Sequence, residues 1–229
     1  MIIWLASYPR SGNTFFRVLL NHHYGIHTYS IYDDRLLTRR RADWEIVGHL
    51  ARPVPIPDMI ESKQTFLVKT HDLPQDNLPA IYLVRDGRDA LVSYAHYVLT
   101  FEQQENTQAT FHHTLHDLIV YNNSFGGWGP NVLAWAQRDA PAAIVRFEDL
   151  VDSSKPFTIL QNALENLGYV NYLPVVTEEP PSFQELHKQM PNFFRKGKIG
   201  GWREEMSTDL HALFWEKHGE AMELMGYSR

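Results

Sequence analysis

The stretch Ser7-Tyr8-Pro9-Arg10-Ser11-Gly12-Asn13-Thr14 packs hydroxyls, an amide, a guanidinium and a glycine into one short turn. Donors grouped around a glycine suit an anion, above all where a helix begins. There the first backbone N–H groups lack partners and the helix dipole favours negative charge. The turn is not a Walker A loop, which starts with Gly and places a Lys just before its Ser/Thr. Ser7 holds the Gly place, Asn13 the Lys place, and the cation, Arg10, comes earlier. Keeping the hydroxyls while moving the cation suits a nucleotide whose terminal group is not a metal-bound γ-phosphate. The plain alternative is an ordinary strand–turn–helix corner.

Three further clusters carry chemistry. Lys69 and His71 alternate at the end of an apolar run and so share one face. Arg85 and Ser93 lie eight residues apart across a turn. If that turn folds back, a guanidinium and a hydroxyl converge on a second phosphate, which the planar fork of Arg binds in bidentate fashion. The alternative is a surface turn in which Asp86, Arg88 and Asp89 pair locally. Arg195-Lys196-Gly197-Lys198-Ile199-Gly200-Gly201 interleaves cations with glycines and can close over an anion. His112 and His116 have metal-ligand spacing on a helix, yet no third ligand is near, and they read as structural or exposed.

These residues need elements to hold them. Ile2–Ala6, Thr65–His71, Ala80–Val84 and Ala142–Phe147 read as short buried strands. Helical spacing follows at Phe15–Leu20, from about Ala90 to Phe101, at Phe111–Asn123, at Pro156–Leu167 with Gly168 as its stop, and at Ser207–Met225. Pro181–Leu186 begins another helix, and Pro130 is expected at the first position of a helix carrying Val132 and Trp135. Pro53, Pro55 and Pro57 are expected to keep their segment extended, as a wall on the substrate side. Strands alternating with helices indicate an α/β fold: one domain over residues 1–229, with a parallel sheet covered on both faces. In such sheets ligands sit beyond the carboxyl ends of the strands, where the first turn, Lys69, His71 and Arg85 would meet.

Composition narrows the classes. A chain of 229 residues is long enough for a full α/β core. The net charge of −6 speaks against a surface that coats nucleic acid. With no cysteine at all, disulfides, thiolate metal sites and cysteine nucleophiles are excluded. The apolar start is broken by Pro9-Arg10 and is too short for a membrane span or signal core, so a cytoplasmic protein without a membrane partner is expected.

Together the segments resemble the sulfotransferase family that uses 3′-phosphoadenosine 5′-phosphosulfate (PAPS). Ser7 to Phe15 is similar to the family's 5′-phosphosulfate loop, S-Y-P-K-S-G-T-T-W. Arg85 through Ser93 resembles its 3′-phosphate motif, and Lys69-Thr70-His71 the K-T-H that carries its catalytic histidine. Phe125-Gly126-Gly127-Trp128 with Val132 and Trp135 is similar to Y-G-S-W-x-x-x-V-x-x-W, and Phe147-Glu148-Asp149 to Y-E-D. Ser182-Phe183 and Arg195-Lys196-Gly197 resemble the adenine-side S-F and the R-K-G phosphate loop. The motifs follow the family's order from residue 3 to residue 202.

The resemblance implies a P-loop-like domain with a central parallel sheet. It implies PAPS as donor and 3′,5′-adenosine bisphosphate (PAP) as product, without a metal. Arg10, Ser11, Gly12, Asn13 and Thr14 would hold the 5′-phosphate. Arg85, Ser93, Arg195, Lys196 and Gly197 would hold the 3′-phosphate, and Phe15, Phe147 and Phe183 would flank adenine. His71 would accept the proton of a small-molecule hydroxyl or amine, with Lys69 and Arg10 stabilising charge. Arg10 stands where the family has lysine, Phe15 where it has tryptophan, Pro181 where it has threonine, and Gly201 where it has aspartate. The C-terminal dimer motif K-x-x-x-T-V-x-E finds no match, so the oligomeric state stays open. Residues 24–62 and 97–128 are expected on the acceptor side, with Tyr29, Tyr32, Trp44, Tyr97, Phe101 and Trp128 suiting an apolar or aromatic acceptor. The competing readings are a small-molecule kinase using the loop for ATP, and a nucleotide-binding protein of this fold that has lost catalysis.

Overall fold

The structure is a computed structural model that describes residues 1–32, 41–101, 107–121, 124–152, 156–169, 181–189, 194 and 197–229. Its centre is a five-stranded parallel sheet: β1 (Ile2–Ser7), β2 (Tyr29–Ser30), β3 (Phe66–Thr70), β4 (Ala80–Val84) and β5 (Ala142–Arg146), in spatial order β2-β3-β1-β4-β5. β1 is buried along its whole length because both sheet faces are covered. Its side chains alternate as the pleat requires. Ile2, Trp4 and Ala6 enter one core with α4 (Gly87–Phe101), α5 (Gln108–Val120), α6 (Trp128–Ala136) and α10 (Thr208–Leu224). Ile3 and Leu5 enter the other with α1 (Asn13–Tyr24), α7 (Phe147–Asp152), α8 (Pro156–Glu165) and α9 (Phe183–Gln189).

Two short helices, α2 (Arg41–Val47) and α3 (Ile56–Glu61), lie between β2 and β3. The three-proline segment is therefore not extended throughout. Pro57 sits in the first turn of α3, where a missing N–H leaves no hydrogen bond unmade. Pro130 likewise falls two residues inside α6, which Trp128 opens. α4 begins at Gly87, earlier than the sequence suggested. Ser207 caps α10 by accepting from the Leu210 N–H at 3.3 Å. Ser182 and Glu185 form the reciprocal N-terminal bonds of α9, at 3.2 and 2.8 Å.

Strand order reverses on either side of β1, so the crevice beyond its carboxyl end is the natural ligand site. Register brings the chain there from three strands at once. Ala6 aligns with Thr70 and Ser7 with Leu83, which sets the turn after β1, His71 after β3 and Arg85 after β4 side by side.

Candidate active site

Beyond those strand ends lies a cavity of about 360 Å³. Its lining joins the first turn (Arg10, Gly12, Asn13, Thr14, Phe15) with Lys69, His71, Arg85, Ser93, Phe147, Phe183 and Gly197. Ser11 lies buried within the same turn. Residues drawn from both ends of the sequence therefore converge, while Arg195 and Lys196 lie outside the described residues.

Steric demands shape the first turn. Gly12, the N-cap of α1, has φ 94°, and a Cβ there would lie 2.6 Å from the Phe147 ring. Only glycine satisfies both constraints. Arg10 also adopts a left-handed backbone, φ 67°, an unfavourable place for a long side chain and one found where geometry serves a site. No side chain caps α1, which leaves its first N–H groups available to an anion. The buried Ser11 Oγ has no hydrogen-bond partner among the described residues, and a phosphate or sulfonate oxygen would supply one. Asn13 works differently: its Nδ2 donates to Leu5 O at 2.9 Å and Ser7 Oγ at 3.2 Å, lacing α1 onto β1. What Asn13 offers an anion is its backbone N–H.

His71 is held by that same strand. Its Nδ1 lies 2.7 Å from Ser7 O and 3.2 Å from Ser7 Oγ. A carbonyl oxygen only accepts, so Nδ1 carries the proton and Nε2 is the free acceptor. Burial, then Lys69, with Arg17 and Arg10 adding to them, drive the pKa well below the ordinary histidine value; the bond to Ser7 opposes this. Lys69 is pushed down to about 7 by burial, Arg17 and Arg10. The Tyr32 hydroxyl accepts the His71 N–H at 2.7 Å, donates to Asp72 at 3.3 Å, and lies under Lys69 with Nζ 5.7 Å from its ring centroid. Asn131, fully buried, donates to the carbonyls of His71 and Phe125 at 3.0 and 2.9 Å.

The second anion cluster is tied to the first. Arg10 Nε donates to Ser93 Oγ at 3.2 Å, and Arg85 reaches Arg10 O at 3.5 Å and Lys198 O at 3.1 Å. The Arg85 guanidinium lies 4.6 Å from the Phe147 ring centroid. Local pairing occurs as well, with Arg88 on Asp86 at 2.8 Å, but Asp89 reaches further. Its carboxylate accepts from Gly200 N at 2.7 Å and Trp202 N at 2.9 Å, fastening the late glycine-rich loop to α4. At Gly197, φ 59°, a Cβ would lie 2.4 Å from the Phe183 ring.

Phe15, Phe147 and Phe183 form one aromatic group, with centroids 6.4 Å apart for Phe15–Phe147 and 6.2 Å for Phe15–Phe183. Phe194 joins it, 5.1 Å from Phe183, and its carbonyl pairs with His187. Sequence reasoning missed Phe194, Asp89 and Tyr94 as site residues; nothing in spacing marked them. On the acceptor side Tyr32 and Tyr97 line the cavity, joined by Tyr94 and Phe125. Tyr29 instead packs on Phe66, Trp44 on His49, and Trp128 is fully buried against Phe214. The side chain of Phe101 lies outside the description. His112 pairs with Ser207 and His116 with Asp117; no group of three metal-ligating side chains occurs among the described residues. No described helix is long and apolar enough to cross a membrane.

Known proteins are similar to this chain in sequence and in fold. The model of the sulfotransferase domain family matches residues 2–156. A flavonol sulfotransferase-like protein of Flaveria bidentis is 25% identical over 244 residues, covering 91% of this chain and 77% of its own. Sulfotransferase 1 family member D1 of Mus musculus is 24% identical over 255 residues, covering 96% and 83%. Among solved structures, mouse sulfotransferase SULT7A1 complexed with PAP has a similar fold. The TM-score is 0.66 at 19% identity, over 99% of this chain and 88% of that one.

Proposed function

The chain belongs to the sulfotransferase domain family and is an enzyme of that family, and from this premise we propose that it transfers the sulfonyl group of PAPS to a hydroxyl or amine of a small molecule. The carrying observation is that one cavity is lined by two cationic clusters, by His71 and by an aromatic group. The uncapped start of α1 and the orphaned Ser11 hydroxyl fit the 5′-phosphosulfate end. Arg85 and Ser93 fit the 3′-phosphate, and Phe15, Phe147 and Phe183 the adenine. PAPS supplies the activated sulfonyl group; the protein supplies position, charge and a base.

His71 Nε2 takes the acceptor's proton as the new S–O or S–N bond forms and the S–O bond to the 5′-phosphate breaks, PAP leaving with that electron pair. The ring is neutral at physiological pH because its pKa lies below the ordinary value. Burial, then Lys69 with Arg17 and Arg10, makes the imidazolium costly in the free enzyme. His71 becomes a stronger base once the anionic donor offsets those cations. Arg10 keeps its charge at every working pH and acts as an electrostatic clamp on the oxygens that gain charge. Tyr32, Tyr94, Tyr97 and Phe125 give the acceptor an aromatic wall.

The test is direct. With donor labelled in the sulfonyl group and a panel of phenols, alcohols and amines, label should pass to at least one acceptor. PAP should raise the melting temperature more than ATP with Mg²⁺. Stabilisation by ATP-Mg²⁺ alone would favour a kinase. Stabilisation by PAP with no transfer to any acceptor would leave an inert nucleotide binder.

A further inference from the structure

Tyr227 is not among the residues lining the cavity, yet it is hydrogen-bonded to Glu148, which holds the turn that carries Arg85. The first peptide N–H after Arg85, that of Asp86, donates to Glu148 Oε1 at 2.9 Å. The other oxygen of that carboxylate accepts from the Tyr227 hydroxyl at 2.8 Å. On the opposite flank Arg88 donates to both carboxylate oxygens of Asp86, at 3.0 and 2.8 Å, and to Ser228 O at 3.0 Å. Residues 227 and 228 therefore grip the turn from two sides. Asp86, Arg88, Glu148 and Tyr227 are all buried. Phe147, the neighbour of Glu148, supports the Arg85 guanidinium at 4.6 Å, so one helix start sets both the backbone and the side chain of Arg85.

We propose that Tyr227 is a positioning residue for the 3′-phosphate grip: by orienting Glu148 it fixes the peptide after Arg85, and with it the aim of the guanidinium. The inference rests on the reading of Arg85 as the 3′-phosphate ligand. Without the phenol hydroxyl, the buried Glu148 Oε2 loses its side-chain donor, a costly change that rotation or protonation relieves. Either change loosens the bond to Asp86. The turn after β1 has an anchor of its own, through Asn13 and Ser7, and meets Arg85 through a long 3.5 Å bond to Arg10 O, so the 5′ end should feel the change less.

This predicts selective damage. Calorimetry of PAP and of adenosine 5′-monophosphate, which lacks the 3′-phosphate, should show tighter PAP binding by the native protein. Tyr227→Phe keeps the ring that Arg146 covers at 4.4 Å. It should weaken PAP about five-fold or more while 5′-monophosphate binding moves less than about two-fold. Glu148→Ala should do the same, and Glu148→Gln, which still offers an oxygen to Asp86 N–H and an amide to the phenol, should restore most of the preference. Should Tyr227→Phe fail to fold on a thermal melt, the Glu148 pair reads the same quantity. An unchanged PAP preference, or equal weakening of both nucleotides, overturns the positioning role. If the native protein shows no preference and Arg85→Ala changes neither nucleotide, the underlying site reading fails, and the proposal with it.

Discussion

The imidazole of His71 is bonded through Nδ1 to the backbone carbonyl of Ser7, 2.7 Å away, at the end of the central strand. That bond fixes the tautomer and ties the candidate base to the start of the turn after β1. A proton-accepting Nε2 follows from a strand end, not from a flexible loop. His71→Ala should accordingly lower kcat by about 10²–10⁴ while the Kd for PAP stays within about two-fold of the native value. Single-turnover transfer and calorimetry check the two halves. Native turnover by the variant would remove His71 from the chemistry.

Lys69 sets a pH dependence whose sign can be worked out. Its pKa is about 7 in the free protein, lowered by burial, Arg17 and Arg10. An anionic nucleotide favours the charged form, so binding raises that value. Between the free and the bound value, binding must take up a proton, and affinity must weaken as pH climbs above about 7. His71, held well below the ordinary histidine value by burial and then Lys69, is neutral in the free protein at pH 8. The PAP binding enthalpy at pH 8 should then vary with buffer ionisation enthalpy, with an uptake approaching about one proton. Lys69→Met should abolish that slope, and a buffer-independent enthalpy in the native protein would contradict it.

Much of this site was legible in the sequence because local chemistry marks it. Gly12 and Arg10 announce a turn, Lys69 and His71 alternate on one strand face, and Arg85 ends an apolar run. Contacts made across long separations were not legible. Asp89 binds Gly200 and Trp202, more than a hundred residues away, through backbone groups that every residue possesses. β2, only two residues long, gives no periodicity to read. Aromatic residues were sorted least well: Trp128 and Tyr29 belong to the core, Tyr94 and Phe194 to the cavity. Apolar type alone does not tell which face of an element a ring occupies.

Gly12 carries two constraints at once, and its substitution should reveal both. With φ 94°, any L side chain there is strained, and a methyl group would meet Phe147 at 2.6 Å. Phe147 also supports Arg85. Gly12→Ala should lower the melting temperature by about 2–8 °C, following a left-handed backbone cost of about 1–2 kcal/mol. It should also weaken PAP more than ten-fold, because both anion clusters lean on the displaced ring. A differential scanning melt and a titration separate the two effects. Loss of stability with unchanged PAP affinity would show that the ring yields without disturbing the grip.

Arg10 stands where the resemblance to the family leads one to expect lysine. Its Nε is bonded to Ser93 Oγ at 3.2 Å, and its guanidinium lies 5.4 Å from the Tyr97 ring centroid. It thereby links the turn after β1 to Ser93 and to the Tyr97 side of the cavity. A guanidinium with a pKa above about 12 gives up no proton at working pH, so its contribution must be charge held in place. Arg10→Ala should cost about 10²–10³ in kcat, the range for losing one preorganised donor. Arg10→Lys should keep activity within about ten-fold of native and acquire a new alkaline limb. That limb follows because a half-buried lysine near Lys69 titrates where arginine does not. Rate–pH profiles of the two variants decide the matter: an alkaline limb common to the native protein and Arg10→Lys must arise elsewhere, and full activity in Arg10→Ala would mean that no charge developing in the transition state depends on this side chain.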